Sequence, residues 1–196
     1  MGAELTEQHT LDRARRWAAL GQRGATIWFT GLPAAGKSTI AAAVEARLVD
    51  SGRGAYWLDG DNLRDSVCGD LGFSREDRQI NVGRVGELAR MFADAGMVSL
   101  VSLVSPYADC RDKVRKLHEH DGLVFLEVFV NTPASECARR DPKGLYARAN
   151  SGELRGLTGV DDPYEPPLAP ELELTAGMSV AAGVEVVLAK LESALT

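Results

Sequence analysis

Gly31-Leu32-Pro33-Ala34-Ala35-Gly36-Lys37-Ser38 reads as a glycine, four unspecified residues and Gly-Lys-Ser, and no other stretch limits the fold as much. Ahead of it, Thr26-Ile27-Trp28-Phe29-Thr30 is rich in β-branched and aromatic side chains and reads as a buried strand. Behind it, Ile40, Ala41, Val44 and Leu48 recur at helical spacing. A strand, a glycine-containing loop and a helix form the context in which this pattern cradles a polyphosphate. Gly31 and Gly36 can take backbone conformations that a side chain would forbid, so N–H groups can point at the anion. The positive end of the following helix adds to the attraction. Lys37 would reach the β- and γ-phosphates, and the Ser38 hydroxyl would ligate the Mg²⁺ that accompanies them. Thr39 completes the phosphate-binding set in the first helical turn. An ordinary glycine-rich turn with a surface lysine is the competing reading, and both flanks argue against it.

A chain of 196 residues is expected to form one domain, with 45% hydrophobic residues to fill its core. A net charge of −6 argues against a nucleic-acid binder, since little offsets phosphate repulsion. Cys68, Cys110 and Cys137 are an odd, widely spaced set and read as buried thiols. His118 and His120 are placed in a charged helix end and offer no metal site. Glu4 and Glu7 interrupt the N-terminus, and no apolar run approaches ~18 residues, so a soluble cytoplasmic protein without a membrane partner is expected.

Residues 5–20 read as a helix with Leu11, Ala14 and Trp17 on one face and Arg13, Arg15 and Arg16 solvated. Residues 1–23 are accordingly a helical extension, and residues 24–196 a P-loop domain. Ala55-Tyr56-Trp57-Leu58 is the next strand, ending in Asp59-Gly60-Asp61-Asn62, where ligands bind in open α/β sheets. Residues 63–82 look irregular or weakly helical. Val85, Leu88, Ala89 and Phe92 then mark an amphipathic helix, residues 97–104 a strand, Cys110, Val114 and Leu117 a helix face, and residues 123–130 a strand. This alternation predicts an α/β fold with a parallel sheet covered by helices on both faces. Between Asp141 and Pro170 fall five of the eight prolines, with Tyr146, Leu154, Leu157 and Tyr164 to pack, and the stretch reads as a lid. An edge strand at 171–174 and a closing helix at 179–195 complete the chain.

The P-loop alone indicates a phosphoryl-transfer enzyme or a nucleotide switch. Further blocks resemble one family, the adenylylsulfate kinases. They are Leu58-Asp59-Gly60-Asp61-Asn62-Leu63-Arg64, Asp70-Leu71-Gly72-Phe73-Ser74 with Asp77-Arg78 and Asn81, and Val104-Ser105-Pro106. Asp141-Pro142-Lys143-Gly144-Leu145-Tyr146 and Thr158-Gly159-Val160-Asp161-Asp162-Pro163-Tyr164-Glu165 extend the match over roughly residues 24–174. The resemblance implies a P-loop kinase that moves the γ-phosphate of MgATP to the 3′-hydroxyl of adenosine 5′-phosphosulfate (APS). It implies Asp61 near the catalytic centre, as a Mg²⁺ carboxylate or the acceptor of the hydroxyl proton, with Asp59 on the substrate side. Arg64, Arg78 and Asn81 would grip APS and Phe73 would stack on its adenine. Lys143 would face the phosphates from the start of the lid, with Arg140 on the ATP side. Ser105 is carried over as a substrate contact in preference to a phosphoserine intermediate, because no activating base is evident near it. The resemblance also implies a homodimer and an ATP sulfurylase partner.

Two departures are visible. Leu32-Pro33-Ala34-Ala35 replaces a small, Ser/Gly-rich loop, at positions the motif leaves unspecified. Leu157 stands where the family usually carries phenylalanine, and leucine would lose part of an adenine stack, on the order of 1 kcal/mol. A related small P-loop kinase with another acceptor, and a non-catalytic nucleotide-binding partner of a sulfate-activating complex, are the alternatives.

Overall fold

The computed structural model describes residues 11–196, so the first part of the expected 5–20 helix lies outside the described residues. The elements in order are α1 (Arg13–Leu20), β1 (Ala25–Thr30), α2 (Lys37–Asp50), β2 (Ala55–Asp59), α3 (Gly60–Arg64) and α4 (Arg75–Ala95). They continue with β3 (Val98–Ser102), α5 (Ala108–His120), β4 (Val124–Asn131), α6 (Ala134–Arg140), α7 (Leu145–Asn150), β5 (Leu172–Thr175) and α8 (Val180–Leu195).

The five strands are all parallel, in the order β2-β3-β1-β4-β5. Every residue of β1 is buried, which is why the strand before the P-loop is apolar on both faces. Period-2 alternation splits it between two cores. Ile27 and Phe29 join Leu100, Leu126 and Val128 under α2 and α8, whereas Trp28 joins Val101 and Phe125 under α4 and α5. Two helices therefore cover each face of the sheet, as the alternating pattern predicts. β1 leads on to β2 at one edge, while its neighbour β3 leads on to β4 on the other side of β1. Such a switch point opens a crevice at the carboxyl ends of the strands, between the loops that follow β1 and β3.

Two local readings are corrected. α4 starts at Arg75, not beyond residue 82, and runs for 21 residues. Ser74 caps it, accepting from the Asp77 amide at 3.1 Å. Its first turns carry Asp77, Arg78 and Asn81, so they lack the apolar period of the part that faces the core. Arg13 and Arg16 do not form a solvated face: both pair with Asp94 of α4, Arg13 Nε at 2.7 Å, and Trp17 Nε1 donates to the Asp94 carbonyl at 3.0 Å. His118 lies in the last turn of α5, as expected, but is fully buried, one turn beyond Val114 on the apolar stripe of that helix. Its Nδ1 lies 2.8 Å from the Val114 carbonyl and its Nε2 2.9 Å from Thr26 Oγ1. Burial pushes its pKa down, so the imidazole is neutral. The three cysteines are buried free thiols, as expected.

The 141–170 segment folds into α7 followed by irregular backbone, and it is packed against the body. Tyr146 and Leu157 enter the same core as α2, and the Tyr164 ring stacks on Phe129 with centroids 6.0 Å apart.

Candidate active site

Gly31 lies at φ 147°, and a Cβ there would stand 2.6 Å from the Val130 carbonyl oxygen, so only glycine fits this approach to β4. Side chains from elsewhere hold the carbonyls of the loop. Tyr146 Oη donates to Pro33 O at 3.1 Å, Thr132 Oγ1 to Ala35 O at 2.9 Å, and Lys37 Nζ to Gly31 O and Leu32 O at 2.9 and 2.8 Å. Gly36, at φ 109°, begins α2 with no side-chain cap, which leaves the first amides of that helix for an anion. Burial pulls the Lys37 ammonium down to about 8, a charge held ready for an anion that would stabilise it.

In front of this loop lies a cleft of about 580 Å³. Pro33, Ala34, Gly36, Lys37, Ser38 and Thr39 form its floor, and Asp59, Asp61, Arg64, Phe73, Arg78, Asn81 and Ser105 come from the far side. Arg140 at the end of α6 closes it together with Lys143 and Leu157 of the 141–170 segment. Three expected contacts lie off this cleft. Gly31 sits behind the loop against β4, and Leu32 packs where a Cβ on Gly159 would collide with it. Ala35 lines a second pocket of about 240 Å³ that it shares with Gly36, Thr39, Arg140, Thr175 and Met178.

The two aspartates after β2 are not equivalent. Asp59 is buried, and its Oδ2 accepts from Ser38 Oγ at 3.0 Å and from Ser102 Oγ at 2.9 Å. Asp61 is exposed and pairs with Lys143 across the cleft. The carboxylate beside the P-loop serine is thus Asp59, a residue the sequence reading gave a secondary place. Ser38 and Asp59 are hard oxygen donors, few in number, which suits a Mg²⁺ that takes its other ligands from water and phosphate.

Phe73 is 64% exposed despite its apolar ring. The Arg64 and Arg78 guanidiniums lie 4.3 and 5.7 Å from its centroid. Arg78 also donates to Gly156 O at 2.7 Å and lies 3.4 Å from Asp162. Two like charges beside an exposed aromatic make a surface for a planar, anionic ligand. Asn81 Oδ1 and Thr158 Oγ1 are buried without a hydrogen-bond partner among the described residues, and both residues line the cleft. Thr158 was missed as a site residue. The sequence signal for it was its place at the head of the Thr158-to-Glu165 block, beside Leu157. Ser105, at φ 40°, has its Oγ within 3.1 Å of Trp28 Nε1 and 3.0 Å of Thr30 Oγ1, and no base contacts that hydroxyl.

Residues 23–175 match the family described as adenylylsulphate kinase. The chain belongs to the adenylylsulfate kinase family. The adenylyl-sulfate kinase of Vibrio cholerae is 49% identical over 170 residues, 87% of this chain and 78% of that one. The Mycobacterium tuberculosis APS kinase CysC, solved in complex with AMPPNP and APS, superimposes with a TM-score of 0.85 at 47% identity, covering 87% of this chain and 99% of that one. A hexameric APS kinase from Thiobacillus denitrificans superimposes with a TM-score of 0.67 at 32% identity, over 89% of this chain and 30% of that one. This adenylylsulfate kinase is therefore an ATP-dependent phosphotransferase, and the parallel α/β fold expected from its sequence is the one it has.

Proposed function

We propose that MgATP lies along the P-loop, with its base in the 240 Å³ pocket beside Arg140, and that APS occupies the wall formed by Phe73, α4 and residues 156–158. The observation that carries this reading is the pair of orphaned buried atoms, Asn81 Oδ1 and Thr158 Oγ1, on the same wall as exposed Phe73. Buried polar groups cost free energy unless paired, so these two await a ligand that supplies polar partners. Arg64 and Arg78 take the phosphosulfate anion, and Leu157 supplies an apolar side to the adenine site.

The 3′-oxygen of APS attacks the γ-phosphorus, the bond from that phosphorus to the bridging oxygen of ADP breaks, and Asp61 accepts the hydroxyl proton. Lys37, Lys143 and Arg140 hold the phosphates and balance their charge. Ser38 and Asp59 would hold Mg²⁺, which when bound neutralises charge on the β- and γ-phosphates. Residues 24–196 act as the kinase domain, and the 141–170 lid keeps water from the γ-phosphate. Ser105 contacts APS and is not a nucleophile. Cytoplasmic residence, a homodimer and an ATP sulfurylase partner complete the proposal. The hexameric relative supports self-association, and the mass of the protein in solution tests it.

ADP release from MgATP should require APS and saturate with it. ADP formed at the same rate without APS would overturn the reading. Leu157→Phe, by restoring an aromatic face worth about 1 kcal/mol, is expected to lower the KM for APS about fivefold and leave that for ATP unchanged. An unchanged KM for APS would remove Leu157 from the adenine site.

A further inference from the structure

Arg111 of α5 is almost completely buried, and its guanidinium spends its donors in three directions. Nε donates to Glu127 Oε1 of β4 at 2.7 Å, Nη1 to the Ser105 carbonyl at 2.7 Å, and Nη2 to the Glu165 carbonyl at 2.7 Å. Ser105 is the cleft-lining residue held at φ 40°, a conformation that L residues avoid. Glu165 lies at the end of the segment expected to form the lid. Its amide donates to the Pro106 carbonyl at 2.8 Å, and its carboxylate accepts from the Ala108 amide at 2.8 Å. One buried cation thus joins the turn after β3, the end of the lid segment and the sheet.

We propose that Arg111 is a positioning residue for phosphoryl transfer: it fixes the Ser105 turn on the APS wall and anchors the outgoing end of the lid, without touching either substrate. This rests on the placement of APS given above. Buried ion pairs are often no more stable than apolar residues of similar size, so stability alone is a weak reason to keep one here. A lysine could keep the charge beside Glu127, but its single ammonium cannot reach three acceptors in the plane of a guanidinium. None of the three bonds reaches the P-loop.

The test compares Arg111→Met and Arg111→Lys with wild type, reading KM for APS and for MgATP, kcat, thermal unfolding and amide exchange. Both variants are expected to raise the KM for APS at least tenfold and to leave that for MgATP within twofold. Arg111→Lys is expected to recover thermal stability but not the APS KM. Amide exchange should quicken at residues 104–108 and 164–166 in both. If Arg111→Lys restored the APS KM together with stability, or if both KM values rose equally, the residue would be only a buried charge and the proposal would fall. Should Arg111→Met not fold, Arg111→Lys alone still decides between these outcomes. Loss of APS dependence in wild type would instead sink the substrate placement, and the exchange measurement would still report on the clamp: unchanged exchange at both segments overturns it.

Discussion

Lys37→Met is expected to lower kcat about 10³-fold or more while the protein stays folded. Lys37 is buried at the base of the cleft, with its ammonium held 2.9 and 2.8 Å from two loop carbonyls. Neutral carbonyls only partly offset the cost of burying that charge, which is why its pKa falls to about 8. Phosphate oxygens would offset it fully, and most of all in the transition state, where charge spreads over the transferred group. Methionine keeps the length and apolar stem of lysine but supplies no charge, and removing a buried charge should not lower stability. ADP release under saturating APS, measured beside thermal unfolding, checks both parts. A folded Lys37→Met enzyme with more than a tenth of wild-type kcat would remove Lys37 from catalysis.

Asp59→Asn and Asp61→Asn are expected to fail in different ways. Asp59 meets Ser38 and Ser102 in a buried site, and its other oxygen accepts from the Asp61 amide at 3.1 Å, capping α3. Asparagine caps as well as aspartate, so α3 should persist, but a neutral amide holds Mg²⁺ poorly. The Mg²⁺ concentration for half-maximal rate should rise at least tenfold. Asp61 faces the open cleft and Lys143. Losing its carboxylate should cost about 10² in kcat, the scale of a lost general base, with Mg²⁺ dependence changed less than twofold. A Mg²⁺ titration of both variants decides the matter. The reverse pattern would return the metal role to Asp61.

The parts of the molecule legible in the sequence are those whose signal is local. β1, the P-loop and α2 are contiguous, and each carries its own pattern: a buried strand, a glycine at φ 147° and a helical stripe. The start of α4 was not legible by periodicity, because its first turns carry the polar Asp77, Arg78 and Asn81, the last two lining the cleft, in place of an apolar stripe. Only the Ser74 cap with Asp77 three residues on marked it. Arg111 looked like one more charge on a helix rich in charges, and its three acceptors come from distant strands and loops. The pairing of Arg13 and Arg16 with Asp94 spans about 80 residues, and nothing in α1 announces it.

From the sequence alone came the parallel α/β architecture, the phosphate-binding loop and the kinase family, because strand alternation, glycine conformations and motif spacing are set within a few residues. Only the tertiary structure decided which aspartate stands beside Ser38, that Phe73 is exposed between two arginines, that Asn81 and Thr158 lack partners, and that Arg111 is a clamp. Burial and hydrogen-bond satisfaction depend on what the rest of the chain brings to a side chain, and no local pattern encodes that.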